Sequence, residues 1–216
     1  MEHLNNIFEL NNLSYQVGDK EILKDITLNI ERGKYITVVG PSGSGKSTLM
    51  RILASMISAT SGKVLFEGKK ISSYEPTEYR RRVSYAFQQP TLFGKTVKDN
   101  LEFPYTVRGK EFDRNQVVEF LNYVNLDESY IDKNVNDVSG GEKQRIALLR
   151  NLIFKPEVLI TDEVTTGLDA ENKEIVHNIL NKFNRDDGLT ILRVTHDDSE
   201  IEQATDKITI KNGEVI

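Results

Sequence analysis

Residues 35–48, YITVVGPSGSGKST, constrain this chain more than any other stretch. A β-prone run, Tyr35 to Val39, leads straight into the glycine-rich loop Gly40-Pro41-Ser42-Gly43-Ser44-Gly45, which is followed by Lys46, Ser47 and Thr48. A strand that ends in such a loop and enters a helix at Lys46 points successive backbone N–H groups and a helix N-terminus at one spot, a cradle for phosphate. The spacing G-x-x-x-x-G-K-[ST] places Lys46 as a point charge at the β- and γ-phosphates and the Ser47 hydroxyl on Mg²⁺. In 216 residues a chance match has odds on the order of 1%. A dinucleotide fingerprint is the rival reading of these glycines, and it fails because Thr48 stands where the third glycine belongs.

The rest of the chain alternates strand and helix patterns around that loop. Leu23, Ile26, Leu28 and Ile30 roughly alternate with polar residues, and Val17-Gly18-Asp19-Lys20 reads as a hairpin turn, so residues 7–30 predict strands. Shorter strands are expected at 64–66, 83–87, 158–161 and 189–195, with a closing hairpin around Asn212-Gly213. Ile175, Val176, Ile179, Leu180 and Phe183 fall at helical spacing. The expected fold class is α/β, a parallel sheet with an N-terminal antiparallel β subdomain and an inserted helical subdomain. Residues 1–216 read as one domain. Segments 1–88 and 156–216 form the nucleotide-binding core, and 89–155 the helical subdomain, with apolar faces from Val117, Val118, Phe120, Leu121 and Val124.

Composition removes several function classes. The net charge is −5 and no long basic run occurs, so nucleic acid is not expected as a partner. The absence of cysteine rules out disulfides, thiolate metal sites and cysteine nucleophiles. The start MEHLNNIFEL lacks the basic and apolar stretches of a signal peptide. The longest apolar runs are a few residues, whereas a spanning helix needs about 20, so a membrane role is expected only through a partner.

Two further stretches carry chemistry. Val158-Leu159-Ile160-Thr161 leads into Asp162 and Glu163. At a strand end beside a phosphate loop, Asp162 can hold Mg²⁺, while strand alternation turns Glu163 elsewhere, to orient and deprotonate a water. Ser139-Gly140-Gly141-Glu142 opens a second helix with a capping box. Its paired glycines expose backbone N–H groups, with Gln144 and Arg145 in the first turns, which makes a phosphate-ready helix start without a lysine. A simple explanation for two such helix starts in one chain is that the second closes on a γ-phosphate held by another copy.

These motifs, in this order and over nearly the whole chain, resemble the nucleotide-binding subunits of ATP-binding cassette (ABC) transporters. The resemblance implies a P-loop NTPase core, an ATPase activity that releases ADP and phosphate, and ATP and Mg²⁺ as cofactors. It implies that Tyr15 stacks on adenine, that Gly40 to Thr48 form the Walker A loop, and that Gln88 reaches Mg²⁺ and the membrane partner. It makes Val138-Ser139-Gly140-Gly141-Glu142 the family signature, with Val138 in place of leucine. Asp162 and Glu163 become the Walker B acid and the catalytic base. Asp169 belongs to the loop that crosses between subunits, and His196 is the switch histidine at the γ-phosphate. His3 and His177 read as structural. Val164 replaces a common proline and Thr161 an apolar residue, and neither removes a chemical group. Arg193, in an apolar strand, has no account at this level. A narrower likeness, in YRRRVSYAFQQPTLFGKTVKDNLEFP and HDDSEI, is to the ATPase subunits of bacterial iron exporters. It implies a homodimer formed on ATP binding, an integral membrane permease subunit as partner, and a peripheral place on the cytoplasmic face of the bacterial inner membrane. Two other readings stay open: an ABC ATPase coupled to a membrane signalling or mechanical partner, and a small-acceptor P-loop kinase, which would leave Ser139–Arg145 and His196 unexplained.

Overall fold

A computed structural model describes residues 5–216; His3 lies outside them. In chain order the elements are β1 (Asn6–Val17), β2 (Lys20–Glu31), β3 (Tyr35–Val39), α1 (Lys46–Leu53), β4 (Ser61–Phe66), β5 (Lys69–Lys70), α2 (Pro76–Arg82) and β6 (Val83–Ala86). There follow α3 (Val97–Thr106), α4 (Arg114–Tyr123), α5 (Gly140–Leu152), β7 (Val158–Asp162), α6 (Ala170–Asp187), β8 (Thr190–Val194), α7 (Asp198–Gln203), β9 (Asp206–Lys211) and β10 (Glu214–Val215).

Six strands form the central sheet in the order β10-β9-β3-β8-β7-β6. All its pairings are parallel except the β9–β10 hairpin. Every residue of β7 and β8 is buried, as expected for parallel strands covered on both faces. Their side chains alternate between two cores. Leu159 and Ile191 pack with α3–α6, whereas Val158, Ile160, Leu192 and Val194 pack against α1 and the antiparallel strands. Each fully buried side chain of this kind stabilises the fold by about 1.5–3 kcal/mol.

The antiparallel sheet has the order β2-β1-β4-β5. Leu23 and Ile26, three apart, both point into its core because the β1–β2 ladder shifts register near them. Asn12 and Asp25 have φ of 48° and 46° there, and the Asp25 N–H donates to Ser14 Oγ at 2.9 Å. A local bulge thus repairs an imperfect alternation. α2 and α7 have no forerunner in the sequence reading. Both are short, and α2 begins at Pro76, where proline suits the first helical turn.

Candidate active site

The loop Gly40–Gly45 leaves the C-terminal end of β3 and caps α1 without any side-chain hydrogen bond, so the first N–H groups of α1 are not consumed by a cap. Two glycines are required by space as well as by φ. A Cβ on Gly40 (φ 144°) would lie 2.0 Å from the Ile210 carbonyl oxygen, and one on Gly45 (φ 108°) 2.6 Å from Leu23 Cδ2. The Lys46 ammonium donates to the carbonyls of Gly40 at 2.7 Å and Pro41 at 2.9 Å. Burial lowers its pKa, opposed by the nearby charges of Glu163 and Asp162. Ser42, Gly43, Gly45, Lys46, Ser47 and Thr48 line a cleft of about 300 Å³ together with Lys20, Ile22, Glu163 and His196.

At the end of β7, Asp162 and Glu163 take different tasks. Asp162 Oδ1 accepts from Ser47 Oγ at 3.1 Å and Oδ2 from the Tyr85 hydroxyl at 2.5 Å. Burial and the Asp162 carboxylate push the Tyr85 phenol pKa up, which keeps it a donor. Glu163 meets partners other than those of Asp162, as its sequence context suggested, although it lies just past the end of β7. Its φ is +55°, a left-handed backbone that non-glycine residues adopt only when their surroundings enforce it. This turn aims the carboxylate into the phosphate cleft, where Oε2 accepts from Gln88 Nε2 at 2.9 Å and Oε1 lies 3.1 Å from His196 Nε2. Gln88 therefore meets Glu163 rather than the Ser47–Asp162 pair. A hydroxyl and a carboxylate oxygen side by side suit a hard cation such as Mg²⁺, which commonly takes one or two protein oxygens and fills its shell with phosphate and water. Ser47 and Asp162 fit that donor set.

Other sequence-derived residues are not among those lining this cleft. Tyr15 pairs with Leu23 across β1–β2, is partly buried against the strand core, and does not line the cleft. Ser139 to Glu142 do not line it either. They form a complete capping box: Glu142 N–H donates to Ser139 Oγ at 3.3 Å, and Ser139 N–H to Glu142 Oε2 at 2.8 Å. Gln144 and Arg145 are buried instead of facing that helix tip, and Arg145 Nη1 donates to the Val124 carbonyl at 2.5 Å. Asp169 caps α6 by accepting from Asn172 N–H at 2.8 Å and lies on the surface. Tyr85 was missed because its role depends on strand register. It pairs with Ile160, one step along the same face from Asp162.

Gln88 also borders a groove of about 710 Å³ lined by Phe87, Phe93, Phe103, Leu148 and Arg150. Phe87 is 52% exposed, Phe93 41% and Phe103 46%, a cluster of apolar side chains on the surface. Among the described residues no helix is long and apolar enough to cross a membrane.

Comparison with known proteins agrees with this layout. The family model described as ABC transporter matches residues 23–166. The probable iron export ATP-binding protein FetA of Escherichia coli (strain K12) is 44% identical over 98% of this chain and 94% of its own length. The spermidine/putrescine import ATP-binding protein PotA of Spiroplasma citri is 40% identical over 98% of this chain, which spans 60% of that protein. Among solved structures, an ATP-binding cassette in a dimeric post-hydrolysis state bound to ADP and Pi superposes with a TM-score of 0.84 at 31% identity, covering 96% of both chains.

Proposed function

This chain belongs to the ABC transporter family as its ATP-binding and ATP-hydrolysing subunit, and on that premise we propose that it works as a Mg²⁺-dependent homodimer driving metal export, iron in particular, through a membrane permease. One observation carries the catalytic reading. Glu163 is held between Gln88 and His196 at the mouth of the phosphate loop, 2.9 Å from one and 3.1 Å from the other.

The residues divide the work. The loop N–H groups and the N-terminus of α1 hold the β- and γ-phosphates. Lys46 exchanges the Gly40 and Pro41 carbonyls for phosphate oxygens and offsets the charge that develops on them. Ser47 and Asp162 would hold Mg²⁺, which would supply positive charge against the phosphates. Tyr85 keeps the Asp162 carboxylate in place. Glu163 orients a water and takes its proton, and His196 donates toward the γ-phosphate. Tyr15 supplies an aromatic face for adenine.

The Ser139–Glu142 tip does not line the phosphate-loop cleft of its own chain. In the proposed dimer it closes on the γ-phosphate of the second copy, together with its own chain's Asp169 segment, whose Asn172 lies against Gly141. The groove beside Gln88, with Phe87, Phe93 and Phe103, takes the permease, so that segment 89–155 moves as a helical subdomain when the site closes. This would place the chain peripherally on the cytoplasmic face of the bacterial membrane. The iron reading draws on the FetA likeness alone, and the importer relative makes import the competing direction. The test is ATPase activity of the chain co-purified with its permease in vesicles, with ferrous ion and with polyamine offered on each side. Stimulation by iron on the cytoplasmic side is expected. Stimulation by another solute, or from the opposite side only, overturns the assignment.

A further inference from the structure

Arg193 sits mid-strand in β8, on the face shared with Ile191, and the structure supplies the account that the sequence lacks. Its Nη2 donates to Thr37 Oγ1 and to the Glu200 carbonyl, each at 3.1 Å, and its guanidinium lies 5.1 Å from the centroid of the Tyr35 ring. Its Nη1 stands 3.9 Å from Glu200 Oε2. Glu200, in α7, is 1% exposed, and its Oε1 is 2.6 Å from His177 Nε2 on α6. Oε2 makes no hydrogen bond, and the buried hydroxyls of Thr195 and Thr165 favour the charged carboxylate. Burial opposes the negative charge. His177, Thr195, Thr165 and Arg193 together more than offset it and bring the pKa down to about 2, so a buried anion persists at neutral pH.

The positions of these partners in the chain give the carboxylate its significance. Thr195 immediately precedes His196, and Thr165 follows Glu163 with only Val164 between them. Both segments whose side chains meet at the cleft thus stabilise one buried anion, which is itself fixed to α6 through His177. A second tie runs in parallel. Asp197, next to His196, pairs with Lys173 on α6 at 2.5 Å and caps α7 through the N–H groups of Ser199 and Glu200. Lys173 and His177 are one helical turn apart, so α6 grips α7 at two points on one face.

We propose that Glu200 is a positioning residue for ATP hydrolysis, the buried anchor that holds the Glu163 and His196 segments in one arrangement. It touches neither nucleotide nor water at the reacting atoms, and its action is through those two side chains. This inference rests on the catalytic reading of Glu163 and His196 given above.

Steady-state ATPase assays on the full chain, with ATP affinity and thermal midpoint measured on the same samples, test it. Glu200→Gln keeps the shape and removes the charge, and Thr165→Val removes one hydroxyl. Glu200→Gln should lower kcat about tenfold to hundredfold, the scale of a small misplacement of catalytic groups, while KM for ATP stays near that of the parent chain. Thr165→Val should show a smaller loss of the same kind. Added to His196→Ala, Glu200→Gln should remove little of the residual turnover, because the two act as one unit. A parent-like kcat in both the Glu200 and Thr165 variants, or a full multiplicative loss on top of His196→Ala, overturns the proposal. Should Glu200→Gln fail to fold, Thr165→Val decides by the same kcat-against-KM split. If Glu163→Gln and His196→Ala both turn over normally, the catalytic reading falls and this inference with it. If they are inactive while the Glu200 and Thr165 variants are normal, only the positioning role falls.

Discussion

The starts of α1 and α5 are both glycine-rich helix N-termini, yet they are finished in opposite ways. At α1 the cap is Gly45, with no side-chain hydrogen bond, and the neighbouring lysine is bound to loop carbonyls. At α5 the cap is Ser139, whose capping box with Glu142 satisfies two backbone donors internally. Glu142 is further engaged by the Tyr130 hydroxyl at 2.5 Å and by Lys133 at 3.9 Å. The difference shows how one motif type serves two ends. A helix start left uncapped and given its own cation binds phosphate strongly within its chain. A helix start that is already capped is stable alone and offers only a few remaining N–H groups, which suits transient closure on a phosphate held elsewhere.

The largest expected effect lies at the first of these starts. Glu163→Gln should lower turnover about 10²–10⁴-fold while ATP still binds, because the base is lost and the cradle is intact. In light scattering with Mg-ATP, that variant should accumulate as a dimer. A variant that remains monomeric with ATP bound would break the claim that the α5 start works on a second copy's phosphate.

The next effect separates the glycines. Gly40→Ala should destabilise by about 1–3 kcal/mol, since its Cβ meets the Ile210 carbonyl and its φ is positive. Gly140→Ala should leave the thermal midpoint nearly unchanged, because open space surrounds that position. If the two variants melt alike, the contrast between a crowded Gly40 and an open Gly140 is wrong.

Ser139→Ala should destabilise by about 1 kcal/mol through the lost cap. It should also reduce the turnover of assembled dimers, whereas single-chain ATP affinity stays the same. Nucleotide binding and turnover measured as functions of protein concentration separate these two consequences.

The smallest effect concerns acid. Burial raises the Glu142 pKa, but Tyr130, Ser139 and Lys133 outweigh it and hold the folded value below the ordinary carboxylate range. Its stabilising contribution is therefore complete above the unfolded pKa and is lost as pH falls through the folded one. Denaturation midpoints taken downward from neutral pH should fall less steeply in Glu142→Gln than in the parent chain.

Much of this architecture can be read from local pattern. The β3–loop–α1 unit, the β1–β2 hairpin and the α5 capping box each follow from contiguous residues whose turn, capping or alternation chemistry admits few conformations. Local pattern foresaw that Glu163 and Asp162 diverge, but not the left-handed backbone at Glu163 that sets its direction. Nor does local pattern show where the Arg145 side chain goes: it is buried and donates to the Val124 carbonyl.

The amino-acid order by itself determined where phosphate can be gripped, because the cradle needs only consecutive residues of the right backbone freedom. Only the tertiary structure decided what surrounds it. Gln88, Glu163 and His196 come from the ends of three different strands, and Thr37, His177, Arg193 and Glu200 from two strands and two helices. Such meetings depend on strand order, register and side-chain direction across the sheet. Those are set by the collective burial of two cores, a property that no single stretch of sequence displays.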